Sequence, residues 1–331
     1  MVSSQNFGLQ IGEEVMSSEI VAVVCSDFHL SDKPPRARAQ ESDWFEAQGR
    51  VFDQIRQAAK VNGTRRVLFA GDLFDKPKVS PRLEEFAIRQ LRSLNWIAIP
   101  GQHDLVGHNL DLISQSSFGV VLAARAVRMA ESGDPIDLNN GITVYGFPWG
   151  VEPDVHPDIP RKRDENESLR IGLVHKTMWY KEEPFPGAPP DGNAERWLKS
   201  QDRLMDVYIV GDNHQQFQCK KNGRLLFNCG GMLRRGVDDI DAAPRIGLLR
   251  SDGVILDYRL DTSSDVFVVP DNQRQENKER KEGLDAFINV LSERQSGKRE
   301  LSFGHALDVV MNERQTSKQA RQRIEEIRKN G

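Results

Sequence analysis

Five short stretches of this chain gather the residue types that bind metals and move protons. They are Asp27-Phe28-His29, Gly71-Asp72-Leu73-Phe74-Asp75, Gly101-Gln102-His103-Asp104, His175, and Gly211-Asp212-Asn213-His214. Taken one at a time they say little. An Asp-x-His triplet is common, and Gly-Asp after a strand is often only a turn. In order along one chain they form a set of oxygen and imidazole donors. Such donors suit first-row divalent ions such as Mn²⁺ or Fe²⁺. They do not suit a thiolate zinc site. Four of the seven histidines fall in the set; His108, His156 and His305 do not, and read as surface or packing residues.

Something must bring these stretches together, and the flanking sequence indicates what. Each follows a short apolar run: Ile20–Cys25, Val67–Ala70, Trp96–Pro100, Ile171–Val174 and Val207–Val210. Continuous β-branched runs of this length suit strands buried on both faces. Two further strands are expected at Ile142–Tyr145 and Leu225–Phe227. Helical spacing appears over Asp43–Lys60, through Phe52, Ile55 and Ala59, and after Pro81, through Phe86, Ala87 and Leu91. Pro81 suits the first turn of a helix, where no N–H is missed. A βαβα opening implies an α/β layered fold. In open α/β sheets ligands bind beyond the carboxyl ends of strands, which is where the five stretches lie. Later, Arg245–Leu249 and Val254–Tyr258 read as a hairpin around Ser251-Asp252-Gly253.

The chain has 331 residues, 38% hydrophobic and 28% charged, which is an ordinary globular balance with enough apolar residues for a real core. Residues 1–18 lack the basic and apolar regions of a signal peptide and read as a flexible lead-in. Cys25, Cys219 and Cys229 are odd in number and form no CxxC pair, so they favour a reducing, cytoplasmic setting over a disulfide framework. The net charge of −4 shows no broad basic face, which weakens a nucleic-acid reading. Bound dications would offset part of that charge locally. The expected domains are a catalytic region over 19–262, a charged linker over 263–281 and a helical region over 282–331. Amphipathic stripes such as Leu284, Phe287, Leu307, Val310, Ile324 and Ile327 mark that last region. The stretches 150–168 and 181–194 are rich in Pro and charge and read as loops.

The order D-x-H, G-D-x-x-D, G-N-H-D, H, G-H-x-H, here DFH, GDLFD, GQHD, H and GDNH, resembles that of the calcineurin-like metallophosphoesterases over residues 20 to 260. The resemblance implies two packed β-sheets flanked by helices in four layers, with a helical C-terminal appendage and a dimetal site at the top of the sheets. By that resemblance one ion is held by Asp27, His29, Asp72 and His214. The second shares Asp72 and adds Gln102, His175 and Asp212. His103 assists the leaving oxygen, Asp104 orients the His103 ring, and Asp75 stands behind the ligands. The ions are two divalent cations, Mn²⁺ first, with Mg²⁺ or Fe²⁺ as alternatives. Two positions depart from the family pattern, Gln102 in place of Asn and Asp212 in place of His, and both concern the second ion. The phrases DFHLSD and GDLFD look most like the SbcD-type DNA repair nuclease subunit. That implies a DNA substrate, an SbcC-like ATPase partner engaged through the C-terminal helices, and leaves a homodimer open. The other readings are a phosphoesterase acting on a small nucleotide or phosphoprotein, and a binding subunit with a decayed second metal site.

Overall fold

The computed structural model describes residues 18–153, 159–160, 163–181, 188–201 and 205–268. The lead-in over 1–17, most of the expected linker and the expected helical region over 282–331 lie outside the described residues.

Sixteen elements alternate early and then become strand-rich. They are β1 (Ile20–Cys25), α1 (Trp44–Val61), β2 (Arg66–Phe69), α2 (Pro81–Leu91), β3 (Asn95–Ala98), α3 (Ser117–Ala123), β4 (Val127–Met129), β5 (Ile136–Asp137), β6 (Ile142–Phe147), β7 (Leu169–His175), α4 (Ala194–Ser200), β8 (Val207–Gly211), β9 (Phe217–Lys221), β10 (Arg224–Asn228), β11 (Arg245–Arg250) and β12 (Ile255–Arg259). Local chemistry sets the helix starts. The Asp43 carboxylate accepts from the Phe45 and Glu46 amides at the head of α1. Ser80 caps α2 through the Leu83 amide, with Pro81 in the first turn. Such caps satisfy amides that have no partner within the helix.

Two six-stranded sheets result, ordered β12-β11-β1-β2-β3-β4 and β5-β6-β7-β8-β10-β9. In the first, β1 to β4 are parallel and the β11–β12 hairpin adds antiparallel to β1. In the second, β6, β7, β8 and β10 are parallel, with β5 and β9 antiparallel at the edges. Both layers and their helices agree with the fold expected from the sequence.

The period-two alternation of strand side chains separates the two faces of the second sheet. Ile171 and Leu173 of β7, Ile209 of β8 and Phe227 of β10 join the large core shared with the first sheet. Val174, Tyr208, Val210 and Leu226 alternate with them and pack on the other face with Trp197 and Leu198 of α4. The helix side of the first sheet is built on aromatics. Phe28 stacks on Phe52 of α1 with ring centroids 4.5 Å apart, and Trp96 meets both edge-on. No helix among the described residues is long and apolar enough to cross a membrane.

The compact unit runs past residue 262, the expected edge of the catalytic region, to Val268. The cause is a buried ionic network. Arg38, 1% exposed, pairs with Glu41 and with Asp265 Oδ1 at 2.8 Å, and donates to the Arg234 and Val266 carbonyls. Arg234 holds the other oxygen of Asp265 at 2.9 Å. Removing one member of a buried ionic set strands the others, which typically costs about 3–5 kcal/mol. Arg38→Ala should therefore lower the unfolding free energy by about that much in urea titration. A loss under about 1 kcal/mol would show the network to be incidental.

Candidate metal centre

The ends of β1, β2, β3, β7 and β8 deliver the five stretches to one place. Backbone bonds zip the first two together. The amides of Asp27, His29 and Leu30 donate to the carbonyls of Gly71, Asp72 and Leu73 at 2.8–3.0 Å. Asp27, His29, Asp72 and Asp212 all take left-handed backbone, with φ of 55°, 47°, 58° and 93°. Non-glycine residues there cost free energy and mark positions whose surroundings hold them in place. Space is tight as well. A Cβ on Gly101 would stand 2.1 Å from Asp72 Oδ1, so only glycine lets β3 pass the carboxylate.

Three triads of potential ligand atoms, each with its atoms within 4.8 Å of one another, overlap here: Asp27-His29-His214, His29-Asp72-His103 and Asp27-Asp72-His175. His29 Nε2 lies 2.9 Å from His214 Nε2 and 3.6 Å from Asp72 Oδ2. His175 Nε2 lies 3.3 Å from the same Asp72 oxygen and 4.0 Å from Asp212 Oδ1. Atoms bound to a common ion at about 2.1 Å stand about 3.0–3.4 Å apart, so the His29–His214 and His175–Asp72 separations suit shared coordination, whereas those of 3.6 and 4.0 Å are wider.

The donor set also asks for a cation. His29 Nδ1, Asp72 Oδ2, His175 Nε2 and Gln102 Oε1 are buried without a hydrogen-bond partner. Buried polar atoms are rarely left so. His175 Nδ1 lies 2.6 Å from the Ala70 carbonyl oxygen. A carbonyl cannot donate, so that nitrogen carries the proton and Nε2 keeps its lone pair for a ligand. Burial pushes His175 down, but the carboxylates of Asp72, Asp27 and Asp212 outweigh it and lift it to about 10. Burial, reinforced by the Asp72 charge, pushes Asp27 up to about 8. Burial holds His29 down at about 3. The carboxylates of Asp27, Asp72 and Asp212 thus converge on one buried imidazole, an arrangement that a dication would neutralise.

The match to a known family decides the class. Residues 20–224 match the family described as calcineurin-like phosphoesterase. The chain belongs to the calcineurin-like phosphoesterase family. It is a metal-dependent hydrolase. Solved structures similar to this phosphoesterase include TT1561 of Thermus thermophilus, 12% identical, TM-score 0.42, covering 72% of this chain and 98% of that one. A "novel archaeal phosphodiesterase" is 13% identical, TM-score 0.37, covering 72% and 99%. The calcineurin-like phosphoesterase YfkN from Bacillus subtilis is 14% identical, TM-score 0.43, covering 76% and 87%. These distant likenesses add no argument to the family match. Comparison with curated proteins gives no match.

The two departures of this phosphoesterase from its family's pattern touch each other. Gln102 Nε2 donates to Asp212 Oδ1 in a close contact, which leaves Gln102 Oε1 buried and free. The extra methylene of Gln102 and the carboxylate of Asp212 are thus two halves of one change. A second bond, from the Asp212 amide to Asp27 Oδ1 at 2.9 Å, ties that change to the first triad. Asp212 itself joins none of the three triads, and it stands at their edge.

Asp104 has a different role from the one the sequence suggested. Its carboxylate does not orient the His103 ring. Oδ2 accepts from the Gly101 and Leu73 amides at 3.0 and 3.1 Å, and Oδ1 from Phe74 at 2.9 Å. Fully buried, it fastens the loop after β2 to the loop after β3. Burial and the Asp72 charge push its carboxyl up to about 7 against the pull of those amides. The His103 ring is oriented by the Asp75 carbonyl instead, 3.0 Å from Nδ1. Sequence reasoning also missed Arg235, which pairs with Asp75 Oδ1 at 2.7 Å behind His29. It missed Trp149, whose ring lies edge-on to His175 at 6.3 Å. Neither sits in a motif, so spacing gives no signal for them. His108 is exposed, as expected, and meets the other side of Trp149 at 6.5 Å.

Two outcomes follow from these contacts. In Mn²⁺ titration calorimetry, Gln102→Asn and Asp212→Asn should each weaken one binding event about 10–100-fold. The double variant should be little worse than either single one, because both remove the same contact; strictly additive losses would show two independent residues. Asp104→Asn replaces an acceptor-only group with one that also donates, so it should cost about 1–3 kcal/mol of stability. Urea unfolding measures that cost. Unchanged stability with a large fall in turnover would return Asp104 to a catalytic role.

Proposed function

We propose that this phosphoesterase is a phosphodiesterase that cleaves DNA. The observation that carries the reading is the state of His103. Its Nδ1 faces a carbonyl and must bear the proton, so Nε2 is the nitrogen left to exchange one. The His103 ring packs edge-on against His29 at 4.8 Å and belongs to a triad with His29 and Asp72. A positioned imidazole beside the cluster suits an ester whose leaving alkoxide needs a proton, as a sugar–phosphate diester does.

In this reading Asp27, His29, Asp72 and His214 would hold one ion, and Asp72, Gln102, His175 and Asp212 the second. Two such ions would supply Lewis-acid neutralisation of the phosphate and acidify the attacking water. The chain does the rest. The Ala70 and Asp75 carbonyls fix the tautomers of His175 and His103. The His103 amide donates to Asp72 Oδ1 at 2.9 Å, which leaves the other Asp72 oxygen to face both His29 and His175. With both ring nitrogens protonated, His103 would pass the Nε2 proton to the departing oxygen and keep the one on Nδ1. DNA as the substrate, Mn²⁺ as the native ion and an SbcC-like ATPase acting through residues 282–331 are supported by the likeness of DFHLSD and GDLFD to SbcD-type nucleases.

The test is hydrolysis of DNA and of a nitrophenyl diester by purified protein with Mn²⁺. Excess chelator should abolish both. His103→Ala should keep its metal content while turnover of DNA falls about 10²–10⁴-fold. The loss should be smaller for the nitrophenyl ester, whose leaving group needs little protonation. Metal loss in this variant, or equal losses on both substrates, would make His103 a ligand rather than an acid. Hydrolysis of the small diester with no cleavage of DNA would defeat the DNA reading and leave the phosphoesterase class intact.

A further inference from the structure

Most arginines among the described residues are paired with carboxylates, carbonyls or rings. Four that are not share one groove. Arg66 opens β2, Arg92 follows α2, Arg125 lies in the turn between α3 and β4, and Arg128 lies in β4. Together they line an open groove of about 570 Å³, and Asp137 is the one carboxylate among its lining residues. That carboxylate accepts from the Asn139 amide at 2.7 Å, and none of the four guanidinium groups has a hydrogen bond or ion pair among the described residues. Arg125 holds φ 55°, a left-handed position that glycine or asparagine fills more easily. In a chain with net charge −4, four cations in one groove without an ion pair among the described residues are a local reversal of sign.

The groove is not part of the metal centre. It lies at the amino ends of the parallel strands β2, β3 and β4, whereas the metal centre lies beyond their carboxyl ends. Six residues separate Arg66 from Asp72, so the two sites are roughly 20 Å apart along the strand.

The geometry points to a second, non-catalytic site for a nucleic-acid strand, with the arginines on successive phosphates and the sugars and bases over the apolar floor. Three features choose this occupant. Every cation in the groove is arginine and none is lysine, and the guanidinium fork matches phosphate oxygens in pairs. The cations span three adjacent strands, and β2 and β4 lie about 10 Å apart, more than one phosphate group covers. The lining between them, Leu94, Ile97, Val127 and Leu138, is apolar and largely buried, so these side chains offer an acidic peptide no hydrogen-bond partners. The choice of ligand accords with the DNA reading above but does not depend on hydrolysis. A groove at the far end of the strands would hold a flank of the substrate, or a product, while the metal centre acts elsewhere on it.

Fluorescence anisotropy of a labelled single-stranded oligodeoxynucleotide tests this, in excess chelator so that nothing is cleaved. Arg92→Ala, Arg125→Ala and Arg128→Ala should each lower the slope of log affinity against log salt by about 0.7. The triple reversal R92E/R125E/R128E should weaken binding about tenfold or more. Hydrolysis of the nitrophenyl diester should be unchanged in all of them, which also reports that they fold. If the triple variant does not fold, the three single variants carry the test. Unchanged affinity and slope would overturn the site. So would displacement of the oligonucleotide by polyglutamate or by a mononucleotide at equal charge, since that marks a general anion surface or a small-ligand pocket. Groove binding without DNA cleavage by the parent protein would defeat the proposed activity and leave this site standing. DNA cleavage with no effect of the arginines would do the opposite.

Discussion

The Asp72 carboxylate is the constraint around which the rest is arranged. One oxygen accepts the His103 amide, and the other faces His29 and His175 from opposite sides. Burial alone would push it up, but His175 beside it outweighs burial and holds it down at about 2. A buried anion of this kind persists only with compensation. His175 supplies part of it. The partnerless atoms around it fit a cation as the remainder.

Much of the local structure serves to hold that carboxylate where it is. The backbone at Asp72 is left-handed, a conformation its surroundings must hold. Gly101 leaves room for the carboxylate, and Asp104 locks the loops on either side by taking three amides. Asp27, with the same backbone geometry one strand away, receives the Asp212 amide and so draws the second sheet into the site. The metal centre is thus a seam between two sheets. Its precision depends on the packing of Ile171, Leu173, Ile209 and Phe227 against the first sheet beneath it.

Gln102 and Asp212 show how such a site changes without collapsing. Either substitution alone would leave a polar group short of its partner. Together they satisfy one another and leave a carbonyl oxygen free on Gln102. Gln102 keeps the amide oxygen that Asn would offer, so only a carboxylate at 212 in place of His would make the donor set harder, in the direction of Mn²⁺ or Mg²⁺. Charged residues elsewhere include neutralised networks, such as Arg38 with Glu41 and Asp265, and the arginines at the far ends of the strands, which have no ion pair among the described residues.

The sequence by itself determined nine of the twelve described strands and the side chains at their ends; the short β4, β5, β9, α3 and α4 gave no pattern long enough to read. Apolar runs, capping residues and terminal Asp and His are local signals, and β1, α1 and α2 fall within a residue or so of where they point. It also determined the family, because the five stretches come in a fixed order at strand ends. What it could not determine was direction. Asp104 follows His103 directly, which suggested a bond between them, but consecutive residues in a tight turn point apart and the carboxylate finds amides instead. Arg235, Trp149 and the contact between Gln102 and Asp212 join positions far apart in the chain. Only the packing of one sheet on the other brings them within reach, and no spacing along the sequence encodes that.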